Sequence, residues 1–235
     1  MTAPEVLKQL EKMGSAQTKK TFLRHGCPEP FFGVKVGDMK TLVKKIKRDS
    51  ALAKELYKSG NADAQYFAGL IADGRDFTRA ELDAWAKEAS WHMVSEYTVA
   101  WIAAENPRGW EVALAWIDSD QDAVTSAGWS TLSSIVSTRP DAELDLKAIE
   151  KLLARVSKGL RAAPDRTRYA MNGFVIAVGG MVTPLARAAL TTAKALGTVS
   201  VDVGDTACTV PSAADYIAKI VARGSQGKKR KSVKC

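Results

Sequence analysis

The chain has 235 residues, a net charge of +8 and 46% hydrophobic residues. That is enough length and apolar material for one large domain or two small ones, so it should fold. No run of about 18 apolar residues occurs and the opening "MTAPEVLKQLEKMG" has no apolar signal core, which argues against a spanning helix or a secretory leader; a soluble, cytoplasmic protein is expected, or a nuclear one in a nucleated cell.

Taken in chain order, almost every stretch reads as helix. "PEVLKQLEKM" has a proline in its first turn and stops before Gly14. "GDMKTLVKKIKRD" places Asp38 at the cap. Its Met39, Leu42, Val43 and Ile46 form one apolar stripe, with Lys40, Lys44, Lys47 and Arg48 off it. "ALAKELYKSG" closes on Gly60. "NADAQYFAGLIADG", "TRAELDAWAKEA", "SWHMVSEYTVAWIAAENP" and "PRGWEVALAWIDS" follow as short helices. "SDQDAVTSAGWSTLSSIVS" has an acidic first turn that suits the helix dipole. "DAELDLKAIEKLLARVSKGL", "PDRTRYAMNGFVIAVGGM" and "TPLARAALTTAKALG" complete the series. "TVSVDVGDTACTVP" breaks it: alternating valines between a glycine and a proline predict an extended segment or short hairpin. "SAADYIAKIVARG" predicts a last helix, and the polar end "SQGKKRKSVKC" predicts a flexible tail. Helices of about 10–18 residues that come in pairs roughly every 35–45 residues have the cadence of a helical-repeat solenoid, although a globular bundle would look similar. The boundaries expected are a repeat domain over 1–197, an extended segment and helix over 198–224, and the basic tail over 225–235.

Charge is uneven along this series. Residues 1–60 carry a net +7, residues 61–150 a net −10, residues 151–227 a net +6, and "KKRKSVKC" adds five positive charges. Basic flanks around an acidic middle suggest a polyanion touched by the ends. Lys40, Lys44 and Lys47 lie on one side of a helix, as phosphate contacts would. Arg166 and Arg168 sit at a helix start, where backbone N–H groups also favour anions. Lys228, Lys229, Arg230 and Lys231 form either a sequence-independent tether, an import signal or a solubilising end. A solvated face is the commoner meaning of each cluster. Cys27, Cys208 and Cys235 are few and far apart, so reduced thiols are expected.

The stretch "PFFGVKVGDMKTLVKKI" resembles the opening of the AlkD-like DNA alkylation repair enzymes, in which a phenylalanine–leucine–glycine-type motif precedes a cap and a helix. The likeness runs through "SWHMVSEYTVAW" and "ALAWIDSDQDAVTSAGW", over roughly residues 15–190. The resemblance implies an all-α, HEAT-like helical-repeat solenoid, an α–α superhelix with a basic groove for double-stranded DNA. It also implies excision of cationic N3- or N7-alkylated purines. A cationic base is already a good leaving group, and a carboxylate beside the sugar stabilises the developing oxocarbenium charge; aromatic faces attract the cation.

In the family a serine and two tryptophans are followed, four residues after the second, by an aspartate. Ser90 and Trp91 match, His92 occupies the second aromatic slot, and Glu96 stands in the aspartate slot, one methylene longer. The resemblance thus nominates Glu96, His92 and Trp91 as catalytic residues, and Lys35 joins the DNA contacts. The family's arginine slot falls near Ser126, and its third tryptophan slot falls on Asn172 or Gly173 with Phe174 nearby. No cofactor or metal is expected: His92 and Glu96 share a helix face, but His25, the other histidine, lies far off in sequence. Without the resemblance, His92 and Glu96 read as partners on an ordinary helix face. At least four of the six tryptophans should be structural. The readings that remain are an alkylpurine DNA glycosylase, a non-catalytic DNA-binding scaffold of the same fold, and a protein-binding repeat module, each expected as a monomer.

Overall fold

Each apolar stripe folds as a helix, and most of the helices have a polar side chain waiting at their start. The structure is a computed structural model that describes residues 1–234; Cys235 lies outside the described residues. Two compact units divide the chain, Met1–Arg108 with Val203–Ala207, and Gly109–Asp202 with the residues from Cys208 on. The division falls inside the span 1–197 that the sequence suggests is one repeat domain.

In the first unit, α1 (Ala3–Met13), α2 (Ala16–Arg24), α3 (Val36–Ile46), α4 (Ser50–Tyr57), α5 (Ala62–Ile71) and α6 (Arg79–Lys87) are followed by a π-helical stretch, Val94–Val99, that runs into α7 (Ala100–Glu105). Ser15, Asp49 and Asn61 accept the amides of Thr18, Leu52 and Ala64 at 3.0–3.2 Å, satisfying donors that a helix start leaves orphaned. Thr78 and Glu81 close α6 reciprocally as a capping box. The cap expected at Asp38 lies three residues earlier: Lys35 is the N-cap of α3, and Asp38 stands in the first turn, where the dipole favours it. Met39 and Leu42 of the predicted stripe are buried, and Lys40, Lys44 and Lys47 are exposed. Helix α5 is buried almost all round and forms the centre of the unit. Tyr57 and Trp85 stack on each other at 3.9 Å, and the buried Tyr57 hydroxyl donates to the Trp85 carbonyl at 2.6 Å.

The second unit holds α8 (Gly109–Trp116), α9 (Asp122–Thr138), α10 (Leu146–Gly159), α11 (Asp165–Met181), α12 (Ala186–Leu196) and α13 (Ala213–Ala222). Its core joins Trp129 and Leu132 of α9 to Ile149 and Val156 of α10, Phe174 and Val178 of α11 and Ile217 of α13. The Asp122 carboxylate accepts the Thr167 amide at 2.8 Å and its hydroxyl at 2.6 Å, so the first turn of α9 fixes the start of α11. Trp85, Trp101, Trp116 and Trp129 are buried, in keeping with at least four structural tryptophans. Residues 198–212 contain no strand, so the alternating valines form an extended run and not a hairpin ladder.

The C-terminal residues depart furthest from expectation, because they are docked. Gln226 Nε2 donates to the Gly179 carbonyl at 3.2 Å and Gly227 N to Gly180 at 2.8 Å, at the end of α11. Lys229 Nζ donates to the Val136 carbonyl at 2.8 Å and Arg230 N to Ser137 at 2.8 Å, at the end of α9. Lys229 also pairs with Asp141 at 2.7 Å, and Val233 is buried. Residues 226–233 are therefore a strap, not a flexible tail. Composition alone hides this, because the partners are the carbonyls that two helix ends cannot satisfy internally. Deleting residues 225–235 removes these bonds, worth about 1 kcal/mol each. The thermal midpoint should fall by at least about 4 °C for a chain of this length; an unchanged midpoint in a calorimetric scan would contradict the docking.

Candidate functional site

The sequence motif "FFGV" owes its shape to a carboxylate thirty residues away. Asp63, in the first turn of α5, accepts Phe32 N at 2.6 Å and Gly33 N at 2.9 Å on one oxygen and Val34 N at 3.0 Å on the other. Ala62 N donates to Pro30 O, and Ser15 N to Gly33 O. Gly33 is needed: its φ is +79°, and a Cβ there would lie 2.6 Å from the Lys19 amide. Burial pushes the Asp63 carboxyl above the ordinary aspartate range, against the pull of the three amides. The same carboxylate, with Glu29, adds to the burial that pushes the Cys27 thiol up to about 12, so Cys27 is an inert core thiol.

Behind the loop lies an apolar pocket of about 20 Å³, lined in part by Phe22, Val34, Met39, Tyr66, Trp91 and Met93. Trp91 is half-buried. Its Nε1 donates to the His25 carbonyl at 3.1 Å, its ring packs on Phe22 at 5.1 Å, and His92 meets it edge-on at 4.8 Å. Gln65 of α5 supports this corner: its oxygen accepts Ser90 N at 3.0 Å, and its nitrogen donates to the Tyr57 and Glu88 carbonyls. The π-helical stretch then begins. At Gly69 of α5 a Cβ would stand 2.8 Å from the Thr98 side chain, so the wide turn and the glycine fit each other. Single turns of π-helix shift side-chain register and recur at functional sites.

The structure thus brings Trp91 and His92 into ring contact and places Glu96 one turn later, with 8% of its surface exposed. The α-helical i, i+4 face expected for His92 and Glu96 is altered, because Glu96 lies in the π-helical stretch. His25 reaches this corner through its backbone carbonyl. Among the described residues no three His, Cys, Asp or Glu side chains converge as metal ligands do. Of the other two family slots, one falls near Ser126, fully buried in α9, and the other on Asn172, buried in α11 with its amide nitrogen on the Pro211 carbonyl at 2.9 Å, or on half-buried Gly173.

The nominated cations fall into two groups. Lys35, Lys40, Lys44, Lys47, Lys228, Arg230 and Lys231 are exposed. The others carry structural duties. Arg168 donates to the Ser200 and Ala163 carbonyls at 2.7 and 2.8 Å and pairs with Asp165. The Arg166 guanidinium lies 4.6 Å over the Tyr169 ring, its amide directed at Asp122. Lys229 is the pin of the strap. Arg48, next to the lysine row, shares the Asp73 carboxylate with Arg75, and the two guanidiniums hold that carboxyl far below its usual range.

The architecture is all-helical among the described residues, and the "FFGV" corner is where the sequence resembles the DNA alkylation repair enzymes. The profile of the DNA alkylation repair enzyme family matches residues 6–214, and the chain belongs to that family. It is 33% identical over 217 residues to an uncharacterized protein of Listeria monocytogenes serovar 1/2a, covering 90% of this chain and 93% of that one. It is equally similar to an uncharacterized protein of Listeria innocua serovar 6a. A solved structure matches with a TM-score of 0.92 and 37% identity over 100% of both chains. It represents a new family of proteins related to the HEAT-like repeat DNA glycosylases with affinity for branched DNA structures. The fold is therefore the HEAT-like helical repeat.

The three-amide grip yields a direct test of the corner. In Asp63→Asn the new amide nitrogen cannot accept, so at least one buried N–H loses its partner. Unfolding in urea should show a loss of about 1–3 kcal/mol, and a variant as stable as the parent would remove Asp63 as the organiser of the loop.

Proposed function

We propose that the protein binds DNA through its exposed cations, acting as a monomer in the cytoplasm, and prefers branched to plain double-stranded DNA. The full-length likeness to a structure from a family with affinity for branched DNA carries this reading. The row Lys35, Lys40, Lys44 and Lys47 supports it, since exposed lysines along one helix are suited to a phosphate backbone. Binding of this kind is independent of base sequence and releases counterions. With some four phosphates neutralised, affinity should fall by about two orders of magnitude between about 50 and about 200 mM salt. Lys40→Ala and Lys44→Ala should each reduce the salt slope by about 1 without changing stability. Titration of a labelled four-way junction and a matched duplex tests the reading; equal affinity for the two, or no dependence on salt, contradicts it.

A second reading keeps the chemistry of the family: an N-glycosylase for cationic N3- or N7-alkylated purines, with Glu96 stabilising the oxocarbenium charge beside Trp91 and His92. Its support is the carboxylate in the matching slot. Against it stand the burial of Glu96, the buried Ser126 near the family's arginine slot, and Asn172 or Gly173 where the family has a tryptophan. Release of 7-methylguanine or 3-methyladenine from alkylated DNA decides between them. If the wild type releases either base above the spontaneous rate, Glu96→Gln should fold, bind DNA and lose at least about tenfold in rate. No release by wild type leaves DNA binding as the function.

A further inference from the structure

The C-terminal strap of the second unit combines two kinds of lysine and arginine. One is committed inward: Lys229, with its side chain 18% exposed, lies between the Val136 carbonyl and the Asp141 carboxylate. It sits at the C-terminal end of α9, where the helix dipole favours a cation. The others face out. Lys228, Arg230 and Lys231 are exposed, and the Arg230 guanidinium donates to the Val233 carbonyl at a long 3.5 Å. Anchors bracket these three charges. Gln226 and Gly227 hold the strap to α11 before them, Arg230 N holds it to α9 in their midst, and buried Val233 closes it after them.

We propose that this strap is a pre-ordered phosphate-binding strip, in which Lys229 and Asp141 act as positioning residues and Lys228, Arg230 and Lys231 contact phosphates of one DNA strand. This rests on the DNA-binding reading and goes beyond it in assigning the contact to an ordered element. Four consecutive residues hold the three cations within about 10 Å along the backbone, close enough for neighbouring phosphates. A disordered tail with the same charges would have to be ordered on binding, at a cost for every residue fixed. Here that cost is met when the unit folds. The acid at position 141 therefore has a sign opposite to the one simple electrostatics assigns. A carboxylate near a polyanion site ordinarily weakens binding, whereas this one strengthens it by holding the strap.

The test compares Asp141→Asn with Glu143→Gln in the full chain, against a four-way DNA junction at fixed salt. Both variants remove one negative charge, and Glu143 is exposed two residues away. Asp141→Asn should bind about threefold to tenfold more weakly than the parent, and the amides of residues 226–231 should exchange hydrogen faster. Glu143→Gln should bind as tightly or more tightly. Lys228→Ala/Arg230→Ala/Lys231→Ala should lose affinity at an unchanged thermal midpoint, and Lys229→Met should lose both affinity and exchange protection. The proposal is overturned if Asp141→Asn binds as Glu143→Gln does, or if the triple variant keeps full affinity. Failure of the wild type to bind any DNA overturns the DNA reading as well, so the two failures are told apart.

Discussion

Short helices joined by tight turns leave many backbone groups without partners, and this demand organises the molecule. Every helix start exposes donors and every end exposes carbonyls, and local caps such as Ser15, Asp49 and Asn61 meet only part of the need. The rest is met from a distance. Asp63 takes three amides of the "FFGV" loop, and Asp122 takes the first amides of α11. Asn106 donates to the Gly74 and Phe77 carbonyls at 2.8 Å each, while its own oxygen accepts Arg108 N. The strap does the same for the ends of α9 and α11. Each of these side chains ties one helix pair to a later or earlier one, so the repeats are joined by polar contacts as well as by their apolar faces.

The same economy sorts the charges. A net charge of +8 suggests many free cations, but Arg48, Arg75, Arg168 and Lys229 are spent on carboxylates and carbonyls. Arg24 likewise donates to the Asp205 carbonyl at 2.7 Å. Among the cations that stay exposed are a lysine row on α3 and the three outward charges of the strap. Lysines along a helix and cations along a docked strap suit a phosphate backbone, because both present charge in a row.

Much of this could be read from the chain and some could not. The helices were legible because apolar spacing, caps and terminal glycines are local signals; the stripe of α3, with Met39 and Leu42 inward and Lys40 and Lys44 outward, is an example. The family was legible in "PFFGVKVGDMKTLVKKI", where an apolar flank, a glycine at positive φ and a helix stripe follow one another within a few residues. The role of Asp63 was not, because nothing near residue 63 points to amides thirty residues earlier. The π-helical turn was not either: "VSEYTV" has the composition of an α-helix, and its extra width depends on Gly69 in another helix. The strap is hidden in the sequence for a related reason. Five positive charges in eight residues look like a solvated end, and only Val233 hints that the end has an inside.

That last feature bears on how the molecule is made. Lys229 closes on a carbonyl 93 residues earlier in the chain. Synthesis runs from the N-terminus, and domains generally fold as their residues emerge. Helices α9 and α11 can therefore pair long before their final carbonyls find partners. The second unit is sealed by residues made well after α9 and α11, so a chain that stops short of Gln226 has its whole core and lacks its fastening.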